Sequence, residues 1–438
     1  MQVTYRTIWQ TTYPILLSLF VEQLIGIADT AFLGHLGEVE LAASALAGVC
    51  YLILYVIGSG FVVGLQILIA RLNGEKERNE IRNIFGTGIY FLLVLSLVII
   101  VLSKVCFPFL LNYFIHSDTI YQNVVAYMDW RLYGLPFSFL IVAFRAYFVG
   151  VTHTKILAVS SSVMVLVNII LNYLLIFGKC GFPAWGISGA AIGSTLAEGI
   201  AALILTVYLA KGERDILNIS RLRMRWQYMK RILNLSTWTM LQSLLSFISW
   251  FMFFITIEHL GEQALAVSNI VRSISAIPFI FVMAFASTGS AFVSNVLGGD
   301  RRNPIGNICW KITLLCYTIC LPIVCVGVLL PTWLLQIYTD NEQLVSMAVN
   351  PLCVMFSSYI ITVPAFVLFY AVSGTGNTFS SLVIGLASLA AYCIYIVLIG
   401  NYRPDLLWLW ASEHVYALSI LLFSAIYLWR FNWRKKIV

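Results

Sequence analysis

His35-Leu36-Gly37-Glu38-Val39-Glu40-Leu41-Ala42-Ala43-Ser44 returns later in the chain as His259-Leu260-Gly261-Glu262-Gln263-Ala264-Leu265-Ala266-Val267-Ser268. Seven of the ten positions are identical, and the second copy begins 224 residues after the first. The same offset relates Gly74 to Gly298, Arg78-Asn79 to Arg302-Asn303, Asn83-Ile84 to Asn307-Ile308, Leu110-Leu111 to Leu334-Leu335 and Gly150 to Gly374. A shared word could arise by chance, but a constant spacing over such a length points to an internal duplication spanning the 438 residues.

Both copies lie in apolar sequence. Hydrophobic residues make up 61% of the chain and charged residues 10%, with a mean hydropathy of +0.91. That leaves too little polar surface to cover a water-soluble protein of this size. Apolar stretches of about 20 residues or more, enough for a helix to cross about 30 Å of hydrocarbon, recur throughout. They are placed at 8–33, 41–70, 84–107, 121–150, 156–178, 186–210, 228–257, 265–297, 307–332, 343–374, 379–400 and 405–430. The runs are continuous, not alternating, and too long for barrel strands. The expected fold is therefore an all-helical integral membrane protein with twelve transmembrane helices, six in each of two repeats. Its N-terminal bundle would cover 1–210, a basic cytoplasmic linker 211–231 and its C-terminal bundle 232–438. The first segment carries Glu22 and Asp29, unlike a cleavable signal, and is expected to stay in the protein.

Basic residues set the orientation. Arg6, the loops after the second, fourth, sixth and eighth spans and the C-terminal tail together hold 20 of the 26 Lys and Arg, whereas the opposite loops hold Lys179 and Arg403. By the positive-inside rule both termini are cytoplasmic, in a multi-pass protein of the cytoplasmic (inner) membrane. The net charge of +7 is then a topology signal and calls for no nucleic-acid partner. The basic stretch 211–231 reads as a linker along an anionic leaflet. Nine cysteines without a CxxC pair, and five histidines near span ends, point to no disulfide framework or metal cluster. HExxH, GxSxG and Asp-rich motifs are absent, so an intramembrane enzyme is disfavoured. A channel is disfavoured too, because an acidic stripe in one repeat alone builds no symmetric filter.

Charges inside the spans are costly and call for a reason. Glu22, Asp29, Arg145 and Arg272 are the central ones. Glu22 and Asp29 are two helical turns apart and share a face with Ser18; the fourth span aligns Ser138, Arg145 and Thr152, and the fifth Ser161, Asn168 and Asn172. These three stripes are expected to converge on an interior cavity. Asp29, without a sequence-adjacent cation, is suited to trading a proton or a sodium ion between two conformations. Glu22 has two readings, structural pairing with Arg145 or substrate recognition.

The second repeat differs chemically. Phe253 stands 224 residues after Asp29, and Phe247, Trp250, Phe251, Tyr359 and Tyr370, with Gln242, Ser246 and Thr362, dominate there. Coupling chemistry is assigned to the first half and a stacking surface to the second. Gln242, Ser246, Trp250 and Thr362 are taken with Glu22 and Arg145 as candidate substrate-pocket residues. Pro136, Pro278 and Pro364 each free a helix carbonyl and permit a kink.

The run from Pro14 through Glu22-Gln23-Leu24-Ile25-Gly26-Ile27-Ala28-Asp29-Thr30-Ala31-Phe32-Leu33-Gly34-His35-Leu36-Gly37, Leu41-Ala42-Ala43 with its later echo, Asn168 to Gly178 and Gly186-Ile187-Ser188-Gly189-Ala190-Ala191 resembles the multidrug and toxic compound extrusion (MATE) family. The likeness covers essentially the whole chain. It implies two six-helix bundles forming a V and a rocker-type antiporter that exports small organic molecules against protons or sodium. Ser246 and Thr362, where the NorM-like branch has acids, imply the DinF-like branch. In that branch Asp29 matches the coupling aspartate, Asn168 the asparagine of the fifth span, and Ser194, or its neighbour Thr195, a hydroxyl ligand.

Two departures stand out. Asn172 replaces a second aspartate, leaving one carboxylate, and Glu22 and Arg145 stand where an uncharged amide is expected. Ion coupling is accordingly assigned to Asp29, Asn168, Asn172 and Ser194. Sodium would sit at Asp29, Asn168 and Asn172, and the missing carboxylate favours the proton. No cofactor beyond the coupling ion is expected, and a monomer is. Arg145 suggests zwitterionic or anionic substrates unless Glu22 silences it by pairing. The alternative function is a flippase for a lipid-linked saccharide or related amphiphile.

Overall fold

The computed structural model describes residues 3–115, 117–212, 216, 225–299, 305–402 and 405–430, excepting the side chains of 113–114 and 248–251. Every regular element among them is helical: α1 (Tyr5–Leu36), α2 (Glu38–Glu75), α3 (Arg78–Phe114), α4 (Asp118–Arg131), α5 (Leu135–Gly150), α6 (Lys155–Phe177), α7 (Gly186–Gly212), α8 (Trp226–Glu258), α9 (Glu262–Gly298), α10 (Ile305–Leu329), α11 (Pro331–Gln336), α12 (Glu342–Gly374), α13 (Thr378–Tyr402), α14 (Leu406–Trp410) and α15 (Ser412–Arg430). Together they make twelve helical spans long and apolar enough to cross a membrane, one for each expected span. In hydrocarbon only such internally bonded backbone is tolerated.

The repeated motif is a helix stop followed by a helix start. His35 Nδ1 bonds the Ala31 carbonyl at 2.8 Å and His259 Nδ1 the Ile255 carbonyl at 2.9 Å, the same contact in the last turn of each helix. Gly37 and Gly261 then turn the chain, the latter at φ 107°, where a side chain would be strained. Glu38 and Glu262 open α2 and α9, placing carboxylates at positive helix ends. Gly150 and Gly374 are a second repeated pair with one shared role. A Cβ on Gly150 would meet Ile69 Cγ2 of α2 at 2.8 Å, and one on Gly374 would meet the Ser290 carbonyl of α9 at 2.6 Å. The close α2–α5 and α9–α12 packings therefore require glycine.

Two compact units emerge, Leu17–Ser236 and a second made of Met1–Leu16 with Thr237–Val438. This differs from the 1–210 and 232–438 division at both first helices. The opening turns of α1 pack with the later residues, where Thr12 donates to Thr288 Oγ1 at 3.1 Å. The opening turns of α8 belong with the earlier ones: Ser236 donates to the Phe61 carbonyl at 2.7 Å and Tyr228 to Glu80 at 2.8 Å. Of the linker 211–231, residues 213–215 and 217–224 lie outside the described residues.

Each unit has its own aromatic core. In Leu17–Ser236, Phe85 packs on Phe144 and Tyr147 with centroids 5.7 and 4.8 Å apart. In the other, Phe253, the counterpart of Asp29, is buried edge-on against Trp410 at 5.0 Å.

Two spans are interrupted. The fourth breaks at a single 3-10 turn, Leu132–Gly134, and resumes with Pro136 in the first turn of α5, where its missing N–H costs nothing. Thr152, expected on the same stripe as Arg145, instead lies beyond the helix in a turn at φ 62°. The twelfth span breaks at Ala411, between α14 and α15. Pro364 of α12 removes the usual donor to the Ile360 carbonyl, and the Tyr317 hydroxyl of α10 donates to that oxygen instead.

Candidate functional site

Within Leu17–Ser236 a cavity of about 390 Å3 is lined by Glu22, Asp29, Tyr51, Tyr127, Arg131, Ser138, Arg145 and Glu198 among others. The stripes of the first and fourth spans thus meet, as their spacing predicts, and the fifth joins through hydrogen bonds. Asp29 Oδ1 accepts from Asn172 Nδ2 at 2.5 Å and Asn168 Nδ2 at 3.3 Å, and Oδ2 from the Ser194 hydroxyl at 3.1 Å. Asn172 Nδ2 also reaches Asn168 Oδ1 at 3.3 Å. Three donors on α6 and α7 therefore hold the Asp29 carboxylate of α1. Thr195 points elsewhere, donating to the Trp130 carbonyl at 3.2 Å. Asn168 and Asn172 are fully buried, and Asn172 Oδ1 has no hydrogen-bond partner among the described residues. Beside it α7 carries Gly193, whose Cβ, were there one, would lie 2.7 Å from that oxygen.

Glu22 is held as a counter-charge. Its Oε1 accepts from Arg145 Nη2, from Ser18 at 3.0 Å and from Ser161 at 2.9 Å. Of the two readings of Glu22, this geometry is the pairing. The guanidinium that suggested anionic substrates is already matched, so that expectation loses its basis.

A second ion pair escaped the sequence reading. Arg131 of α4 and Glu198 of α7 form a bidentate bridge at 2.6 and 2.8 Å, with side chains 12% and 13% exposed. The guanidinium stacks 3.9 Å over Tyr51, whose hydroxyl is hydrogen-bonded to Ser138 at 2.8 Å. Gly134 leaves room for the bridge, since a Cβ there would lie 2.6 Å from Arg131 Nη1. The signal was present: both residues are charges inside expected spans, Arg131 seven residues before Ser138 and Glu198 four after Ser194. Five charged side chains thus line the cavity, two Arg–carboxylate pairs and Asp29.

The remaining candidates belong to the other unit. Gln242, Ser246 and Thr362 line a different cavity, of about 350 Å3, wholly within the other unit. Glu22 and Arg145 line the first cavity, and Gln242, Ser246 and Thr362 the second. The aromatic wall includes Tyr359, Tyr370, Tyr392 and Tyr416, and Glu413 opens onto it. That carboxylate, in the twelfth span between Ser412 and His414, was also missed. The Trp250 and Phe251 side chains lie outside the described residues. Arg272 is exposed on α9, 5.7 Å over the ring of Phe254, and lines neither cavity. His414, expected near a span end, lies within α15 and bonds Ser357 Oγ through Nε2 at 2.9 Å. Among the described residues no three His, Cys, Asp or Glu cluster as metal ligands.

A duplicated twelve-span helical protein with a charged interior cavity is built as a membrane transporter. The MatE family model matches residues 14–174 and again 239–398, once in each repeat, and the chain belongs to this family of transporters, the MATE family. It is similar to the protein named Probable multidrug resistance protein NorM of Thermotoga maritima, 24% identical over 399 residues covering 89% of this chain and 84% of that one. Multidrug resistance protein MdtK of Photorhabdus laumondii is 25% identical over 355 residues, 78% of this chain and 76% of that one. Among solved structures, the Vibrio cholerae MATE transporter VcmN in its bent form superposes with a TM-score of 0.87 at 18% identity, covering 97% of both chains. A MOP superfamily transporter from Pyrococcus furiosus gives 0.86 at 17% identity, over 97% of this chain and 94% of that one.

Proposed function

We propose that this protein is a secondary antiporter of the cytoplasmic membrane, with both termini cytoplasmic, that exports small organic molecules of the multidrug type in exchange for protons. The observation that carries the reading is the isolation of Asp29. Its cavity holds two neutralised Arg–carboxylate pairs and one carboxylate with only neutral donors around it. A single exchangeable negative charge at membrane depth is what a coupling site needs, because protonation makes the cavity neutral and permits a conformational change that the charged form opposes. On protonation Asp29 gains a donor, and the unpartnered Asn172 Oδ1 is an acceptor within its neighbourhood.

The names of the NorM and MdtK relatives support multidrug export, and Ser246 and Thr362 support the DinF-like branch. With both guanidinium groups paired, the cavity suits neutral, zwitterionic or cationic molecules better than anions. Sodium is the second reading: the Asp29 carboxylate, Asn168 Oδ1, Asn172 Oδ1 and the Ser194 hydroxyl are hard oxygen donors. Dye efflux from vesicles with independently set pH and sodium gradients tests this. Proton coupling predicts transport under a pH gradient without sodium, abolished in Asp29→Asn. Transport that needs sodium at constant pH assigns the ion to sodium, and normal transport by Asp29→Asn overturns the site.

A further inference from the structure

We propose that Cys316 and Cys320 of α10 form a dithiol site for a trivalent organoarsenical, a compound with one carbon–arsenic bond and two exchangeable positions on arsenic. The proposal goes beyond the coupling role of Asp29 and does not rest on it. The two cysteines are four residues apart in one helix, a spacing that puts their Cβ atoms about 5–6 Å from each other on one face. Their sulfur atoms lie 3.7 Å apart, and both side chains are fully buried. The Cys320 thiol donates toward the Pro278 carbonyl of α9 at 3.8 Å, so the hydrogen between the two sulfurs belongs to Cys316.

The sulfur separation decides what the pair can hold. A thiophilic atom bonds each sulfur at about 2.3 Å. Two such bonds spanning 3.7 Å enclose an angle of about 107°, close to tetrahedral. A linear two-coordinate ion would need the sulfurs about 4.6 Å apart. A tetrahedral zinc ion accepts the angle but needs four ligands, and among the described residues no third His, Cys, Asp or Glu joins the pair. Trivalent arsenic is pyramidal, and two sulfurs complete it because carbon already fills its third position.

The reaction needs no oxidant. In an aryl arsenoxide the As=O bond and both S–H bonds break and two As–S bonds form. The oxygen leaves with the two protons as water, and no electrons are transferred. An uncharged aryl reagent dissolves in hydrocarbon, and it has a second approach beside Pro278, where Phe279 lines the cavity of about 350 Å3. Because one helix holds both thiols in place, the second As–S bond closes intramolecularly. Such closure raises affinity over a single thiol by about 10²–10⁴.

Phenylarsine oxide added to the full-length protein in lipid nanodiscs, followed by intact-mass measurement after a wash with the monothiol 2-mercaptoethanol, tests the assignment. The wild type is expected to gain the mass of one reagent less one water, to keep it through the wash, and to release it to the dithiol 2,3-dimercaptopropanol. Cys316→Ala and Cys320→Ala are each expected to lower retention against the monothiol by about a hundredfold or more. Cys309→Ala, which removes the remaining buried thiol of α10, should retain the adduct as the wild type does. An adduct absent from the wild type, full retention in Cys316→Ala or Cys320→Ala, or loss in Cys309→Ala alone would each overturn the site. Should the single variants not fold, peptide mapping of the wild-type adduct serves instead. Arsenic bridging Cys316 and Cys320 supports the site, and arsenic confined to other cysteines refutes it.

Discussion

Asn172 donates an amide N–H to Asp29 at 2.5 Å while its own amide oxygen, fully buried, bonds none of the described residues. A buried acceptor left empty costs about 1–3 kcal/mol, so the site is poised to accept something that brings a donor or a positive charge. Replacing Asn172 by Ala removes both the donor and the empty acceptor. Transport should fall about tenfold or more, read as the initial rate of dye efflux under a fixed pH gradient, with the protein still folded by size-exclusion chromatography.

Gly193 faces the same oxygen, and Gly193→Ala would put a methyl group 2.7 Å from it. The helix can accept alanine, so the fold should survive. Efflux is expected to drop as in Asn172→Ala, and an unaffected rate would show that the space beside Asn172 is not used.

The Glu22–Arg145 pair predicts non-additivity. Arg145→Ala strands a partly buried carboxylate, a loss of about 3–5 kcal/mol at full burial and less here, where the side chains are 18% and 23% exposed. The double variant Glu22→Gln/Arg145→Ala should recover much of that stability in thermal unfolding. Equal destabilisation by single and double variants would mean that Arg145 acts through packing alone.

Arg131→Ala is expected to be more damaging still, because it unpairs Glu198 and removes a cation stacked on Tyr51. Arg131→Lys should rescue only part of the melting temperature, since an ammonium cannot reproduce the bidentate fork.

Tyr317→Phe removes the hydroxyl that replaces the donor lost at Pro364. A destabilisation of about 0.5–1.5 kcal/mol is expected, read as a lowered melting temperature. Pro364→Ala would restore the helical donor, and in that background Tyr317→Phe should cost less.

The twelve spans were legible because lipid imposes length and hydropathy on each helix separately. The convergence of Glu22, Asp29 and Arg145 was legible for a related reason: helical spacing puts charges on one face, and that face must turn inward. What escaped depended on partners distant in sequence. Arg131 and Glu198 are 67 residues apart in sequence, and only the packing of α4 on α7 makes them a pair. Glu413 acquires its meaning from the break at Ala411, which no proline or glycine announces. Hydropathy reports that a residue is inside but not inside what: Glu22 and Arg145 line one cavity, and Gln242, Ser246 and Thr362 another.

The unit boundaries at Leu16 and Ser236 bear on how the duplicated gene can be taken apart. Severing the chain within 211–231 yields fragments that each carry the opening turns proper to the other. Neither fragment is self-sufficient: one lacks Ser236 against Phe61, the other Thr12 against Thr288. Co-expressed fragments can supply each other's missing turns, so this protein should tolerate a nick in the middle of its chain far better than the loss of either half.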